Sequence, residues 1–149
     1  MKHWFEVTAK YIKMDENGKE RKVSETYLLD AVSFSEAEAR IYKELETLVS
    51  GEFTVTKIAI TNYSEIISDN DGDRWFKGKV TFITIDEESG KEKRAAQNLL
   101  VFAETVEQSD KYIKEAMTGM MANFEITSIS ETKIVDVLPY VEEQMSIVN

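Results

Sequence analysis

WFKGKVTFITID, residues 75–86, repeats an earlier stretch, WFEVTAKYIKMD, at residues 4–15. The echo runs far past this segment. At an offset of 71, Trp4, Phe5, Ile12, Asp15 and Glu16 fall on Trp75, Phe76, Ile83, Asp86 and Glu87. One inserted residue then shifts the offset to 72, so that Gly18, Lys19, Glu20, Leu28, Ala31 and Ile41 meet Gly90, Lys91, Glu92, Leu100, Ala103 and Ile113. The offset returns to 71 for Phe53, Thr56, Ile58 and Thr61, which meet Phe124, Thr127, Ile129 and Thr132. Such a period is too long for a solenoid. It reads as one domain half copied in tandem: repeat one at 4–67, a turn at 68–74, repeat two at 75–138 and a C-terminal tail at 139–149.

Working outward, Phe5, Val7, Ala9 and Tyr11 alternate with Glu6, Thr8 and Lys10, the period of a half-buried strand. Asn17-Gly18 is set to supply a two-residue hairpin turn, and Lys22–Val32 returns. A helix opens at Ser33 or Ser35, since Ser33 with Glu36 and Ser35 with Glu38 both have capping-box spacing. Phe34, Ala37, Ile41, Leu45 and Leu48 form its apolar stripe, and Gly51 stops it. Strands follow at Phe53–Thr61 and Tyr63–Ile67, with a bulge near Asn62. The polar joint SDNDGDR, 68–74, is short enough to favour antiparallel pairing of the strands it connects, which would place both copies in one sheet.

Repeat two follows the same scheme. Thr105 and Gln108 cap its helix; Val106, Ile113, Ala116, Met117 and Met120 line the stripe; Asn123 stands where repeat one has Gly51. Met120 and Met121 join Met117 as expected core filler. Phe124–Leu138 closes the unit. The expected fold is α+β: two tandem ββαβ(β) repeats related by a pseudo-twofold axis, forming a mainly antiparallel sheet with two helices on one face. The central ββββα order resembles that of single-stranded-DNA-binding domains of the whirly and Pur type, a likeness of architecture that carries no function.

The chain has 149 residues, enough for a core that buries about 70% of the unfolded surface. It has no cysteine, which excludes a disulfide framework, a thiolate zinc site and a thiol nucleophile. No apolar run approaches the ~20 residues of a membrane span, and MKHWFEV lacks a signal-peptide core. A cytoplasmic protein without membrane association is expected. The net charge of −10 is spread evenly: 12 acids and 8 bases at 4–67, 11 and 8 at 75–138. That field disfavours nucleic acid, whose binding rests on neutralised phosphates.

Catalytic groups are scarce. His3 is the single histidine and sits at a terminus, so it supports neither a triad nor a histidine metal site. Asp69, Asp71 and Asp73 alternate around Gly72, but the sixth and twelfth places of a calcium loop are Arg74 and Val80. Asp15-Glu16 and Asp86-Glu87-Glu88 lie at exposed hairpin tips, solvated turns where nothing is expected to raise a carboxyl pKa for acid–base work. Every glycine is isolated, so no phosphate loop is present. No catalytic residue, cofactor or metal is expected, and the protein is read as a non-enzyme.

The informative signal is a second apolar set on the strand face opposite the helices. Trp4, Ile12, Met14 and Leu28 recur as Trp75, Ile83, Ile85 and Leu100, and Phe102 joins them. Either the fold covers this set, by strand twist or the tail, or it is an interface. The expectation is a binding or assembly module using this face, with a homo-oligomer or protein partner; the alternative is a single-stranded nucleic-acid-binding accessory protein, because strand aromatics stack bases.

The Trp4-Phe5 opening, YLLDA at 27–31, SFSEAEAR at 33–40, SGEFTVT at 50–56, NYSE at 62–65 and DGDRWFK at 71–77 carry a resemblance over nearly the whole chain. It resembles an uncharacterised family, of about this length, from anaerobic gut bacteria and their phages. The resemblance implies a bacterial or phage setting and carries over no activity and no functional residue.

Overall fold

The computed structural model describes residues 2–139; the rest of the expected tail, from residue 140, lies outside them. Alternating patterns and turn residues yield β1 (His3–Met14), β2 (Glu20–Ala31), α1 (Phe34–Leu48), β3 (Phe53–Ile60), β4 (Tyr63–Ile67), β5 (Arg74–Ile85), β6 (Glu92–Ala103), α2 (Val106–Ala116), β7 (Asn123–Glu131) and β8 (Ile134–Leu138). The α+β class is as expected.

The strands do not share one sheet. They form two four-stranded sheets, ordered β3-β1-β2-β8 and β4-β6-β5-β7. Each lies in its own compact unit: β1, β2, α1, β3 and β8 make one, and β4 to β7 with α2 the other. The joint therefore does not bring β4 and β5 together. β4 pairs parallel with β6, β5 pairs antiparallel with β6, and β6 lies between them. Residues 68–73 pass over the end of β6, where the Asp73 N–H donates to the Ala103 carbonyl at 3.2 Å. Gly72 makes the passage feasible: a Cβ there would lie 2.5 Å from the Ala103 nitrogen.

Three strands of each sheet come from one repeat and the fourth from the other. β4 closes repeat one yet joins the sheet of repeat two, while β8 closes repeat two and joins the sheet of repeat one. Read as β3-β1-β2-β8 and β7-β5-β6-β4, the two orders are equivalent. The irregularities match as well. The register of β1 on β3 shifts between Thr8 and Ala9, and that of β5 on β7 between Lys79 and Val80. The parallel pairs skip Val135 and Ser64, which are 71 residues apart. Thr61 donates both its N–H and its hydroxyl to the Trp4 carbonyl, and Thr132 does the same to Trp75. The expected bulge near Asn62 is instead the two-residue break, Thr61-Asn62, through which the chain leaves the first sheet.

Each unit has its own core. Ala37, Ile41 and Leu45 of α1 pack on Phe5, Val7, Ala9, Tyr27, Leu29 and Ala31. Ile113 and Met117, at and beyond the end of α2, pack with Phe76, Val80, Leu99, Val101 and Ala103. The stripes are narrower than expected: Phe34, Leu48, Val106, Ala116 and Met120 are exposed, and Met121 is wholly so. Phe34 still lays its ring edge-on to Phe5, 4.9 Å between centroids. α2 ends at Ala116, a turn earlier than the stripe to Met120 implies; the reversal falls at Gly119, and Asn123 already opens β7.

Ser33, not Ser35, caps α1. Its Oγ accepts the Glu36 N–H, and the Glu36 carboxylate accepts the Val32 N–H. Thr105 and Gln108 repeat this arrangement, with the Glu104 N–H as the outer donor. The first hairpin differs from the expected two-residue turn. Gly18, φ 77°, alone takes the left-handed conformation, and its N–H donates to the Asp15 carbonyl at 3.0 Å. With the Asp15 N–H on the Lys19 carbonyl, this is a three-residue loop ending in a left-handed glycine. The second loop is one residue longer and ends in Gly90, φ 69°.

Candidate functional site

The face away from each helix was expected to be the exposed one, and the structure divides its apolar set in two. Leu28 and Leu100 are 0% exposed and Trp75 is 6% exposed. Trp4, Ile83 and Phe102 are half-buried, with the Trp75 and Phe102 rings in contact at 4.8 Å between centroids and tilted by 44°. These side chains therefore work within the fold: covering Leu28 and Leu100 stabilises it by about 2 kcal/mol each. A free binding face cannot include Leu28, Trp75 and Leu100, and that part of the expectation is corrected.

Ile12, Met14 and Ile85 remain, 53%, 63% and 71% exposed. Topology explains why. β3 reaches only as far as the Tyr11–Phe53 pair, and β7 only to Ile83–Asn123, while the hairpins continue to Met14–Glu20 and Ile85–Glu92. Beyond the third strand each hairpin is a two-stranded ribbon, with no further strand paired to it among the described residues. In the first unit the ribbon borders a cleft of about 610 Å³ lined by Tyr11, Ile12, Met14, Leu48 and Val49, with Lys13, Glu20 and Glu52 at polar positions. The exposed Leu48, outside the working stripe of α1, faces this cleft.

Asp15 organises the tip of that ribbon. Its carboxylate accepts the N–H groups of Asn17 and Lys19 and pairs with Arg21 at 3.0 Å. The Lys19 N–H first, then Arg21, stabilise the carboxylate and hold its pKa below the ordinary carboxylate range. This is turn chemistry, the role expected for the tip carboxylates. A second titratable group lies deeper. The Glu25 carboxylate accepts the hydroxyls of Tyr11 and, at 3.3 Å, Tyr27. Burial, reinforced by Glu25 and Asp136, pushes the Tyr27 phenol up to about 12. Repeat two has Phe82, Leu99 and Gln97 at these places, so the cluster belongs to one unit only.

Matching helix positions bond the chain at or beyond the ends of the borrowed strands. Arg40 bonds Asp30 through both its carboxylate, at 2.7 Å, and its carbonyl, and reaches the Leu138 carbonyl at the end of β8 at 3.3 Å. Tyr112, the equivalent on α2, donates to the Asp71 carbonyl just beyond β4 at 3.2 Å. Sequence reasoning passed over both contacts, because Leu138 and Asp71 lie far along the chain from the helices that reach them.

Among the described residues no group of three histidine or acidic side chains is placed to hold a metal ion, and no buried side-chain polar atom lacks a hydrogen-bond partner. No described helix is long and apolar enough to cross a membrane. No curated protein and no solved structure matches the chain. A family model does match, over residues 3–140, and the chain belongs to that family, described as Domain of unknown function (DUF4494).

Proposed function

We propose that this protein is a non-enzymatic binding and assembly module, and that it self-associates through the outer rungs of its hairpins. The observation that carries the reading is the exposure of Ile12, Met14 and Ile85 on two-stranded ribbons that outrun their third strands. Large apolar side chains at such places lose little by waiting in water and gain about 25 cal/mol for each Å² a partner covers. Unpaired ribbon edges also offer backbone donors and acceptors to another chain. The cleft beside Ile12 and Met14, with Leu48 at its wall, is where a partner's apolar side chain would seat.

The lack of cysteine and the family resemblance support a cytoplasmic setting in a bacterium or its phage. The matching irregularities of the two units support descent from one duplicated half.

Sedimentation velocity at tens of micromolar tests the assembly. The wild-type chain is expected to associate, and Met14→Lys with Ile85→Lys to sediment as a monomer with an unchanged far-UV spectrum. A wild-type chain that stays monomeric throughout would sink the reading, as would association indifferent to the two lysines.

A further inference from the structure

On the second sheet, away from α2, lies a polar depression of about 410 Å³. Strand register builds it. Lys79 is flanked by Ser128 on β7 and Asn98 on β6, and Lys77 by Ser130 and Leu100. Asn62 closes one side, its Oδ1 accepting from the Asn98 amide at 2.9 Å. Lys77 and Lys79 lie two residues apart on one strand face, roughly 7 Å between Cα atoms.

No carboxylate lines this depression. Glu125, one rung further on, is paired to Arg94 at 3.3 Å, and Glu131 to Arg74 at 2.9 Å. Lys77 and Lys79 have no ion-pair partner among the described residues. In a chain of net charge −10, two exposed ammonium groups stand side by side without a counter-charge. Like charges so placed repel. The fold does not require them: the equivalent rungs of the first unit carry Glu6 and Thr8, and Thr8 bonds Thr26 hydroxyl to hydroxyl at 3.0 Å.

We propose that this depression binds the phosphate group of a phosphate ester. Two ammonium groups and the hydroxyls of Ser128 and Ser130 converge on one concavity, several donors around a single tetrahedral oxyanion. A free phosphomonoester and the backbone of a nucleic-acid strand share this chemistry. The proposal does not depend on the assembly reading, whose residues lie elsewhere.

The test is an amide NMR titration of the full chain at low salt with inorganic phosphate, adenosine 5′-monophosphate and a short oligothymidylate. Saturable shifts at residues 77–79, 96–98 and 128–130 are expected with at least one probe. Lys77→Gln with Lys79→Gln should weaken that binding about tenfold, the equivalent of ~1.4 kcal/mol. If the source is a strand, the oligothymidylate binds tightest, and the double variant flattens its log–log salt dependence by about 1.4, or ~0.7 per lysine. If the source is a small ester, the monophosphate saturates the site and the oligomer gains nothing over it. No saturable shift with any probe at millimolar concentration overturns the proposal. So does a shift that survives in the double variant while its melting temperature matches wild type.

Discussion

Gly72 and Gly78 look alike in sequence and differ in what surrounds them. A methyl at Gly72 would meet the backbone of Ala103, which cannot move without displacing the end of β6. A methyl at Gly78 would meet the Cδ1 of Ile113, the tip of a side chain that can rotate. Urea denaturation should therefore show Gly72→Ala losing about 1–3 kcal/mol and Gly78→Ala less than half of that. Equal losses would mean the joint does not ride on β6 as described. Tyr27 makes the second residue-scale prediction. Its phenol titrates near 10 when unfolded and is pushed up to about 12 in the fold. The folded state thus favours the neutral phenol. Its contribution is complete below pH 10 and is lost as pH rises toward 12. Tyrosinate absorbance should show a late-titrating ring that is lost in Tyr27→Phe, and that variant should lose less stability over the same alkaline range.

The elements follow local rules that the sequence displays openly. Both helices begin where a hydroxyl residue precedes a Glu or Gln by three, and both caps close through the residue before the hydroxyl as well. Ser33→Ala and Thr105→Ala should each cost about 1 kcal/mol in chemical denaturation. A negligible loss at either site would show that packing, not the cap, sets that end. Local rules failed where two of them competed. The Met-rich run after α2 has helical spacing, yet Gly119 reverses the chain and leaves Met120 and Met121 in water. Asn17-Gly18 has the composition of a two-residue turn, but the Asp15 carboxylate gathers the N–H groups of Asn17 and Lys19 and favours a longer loop.

At the scale of the whole molecule, the defining feature is the exchange of final strands, β4 and β8, between the sheets of the two repeats. It makes a specific prediction. A protease site inserted into 68–73 and cut should leave two pieces that elute together in native buffer and part only in denaturant. Each piece then holds a strand belonging to the other's sheet. Spontaneous separation without denaturant would show that the exchange does not bind the halves. The same topology undoes the ββββα likeness: β3 belongs to one sheet, and β4, β5 and β6 to the other.

Periodicity, capping residues and the internal echo were enough for the α+β class and for most of the elements to within a few residues. These properties depend on neighbours within a few positions, or on comparing the chain with itself. Only the tertiary structure decided which sheet each final strand joins, because a five-residue apolar strand such as Tyr63–Ile67 or Ile134–Leu138 carries no mark of its partner. For the same reason only the fold could divide the second apolar set. Leu28 and Leu100 have the same composition and spacing as Ile12 and Ile85, and differ only in how much protein covers them.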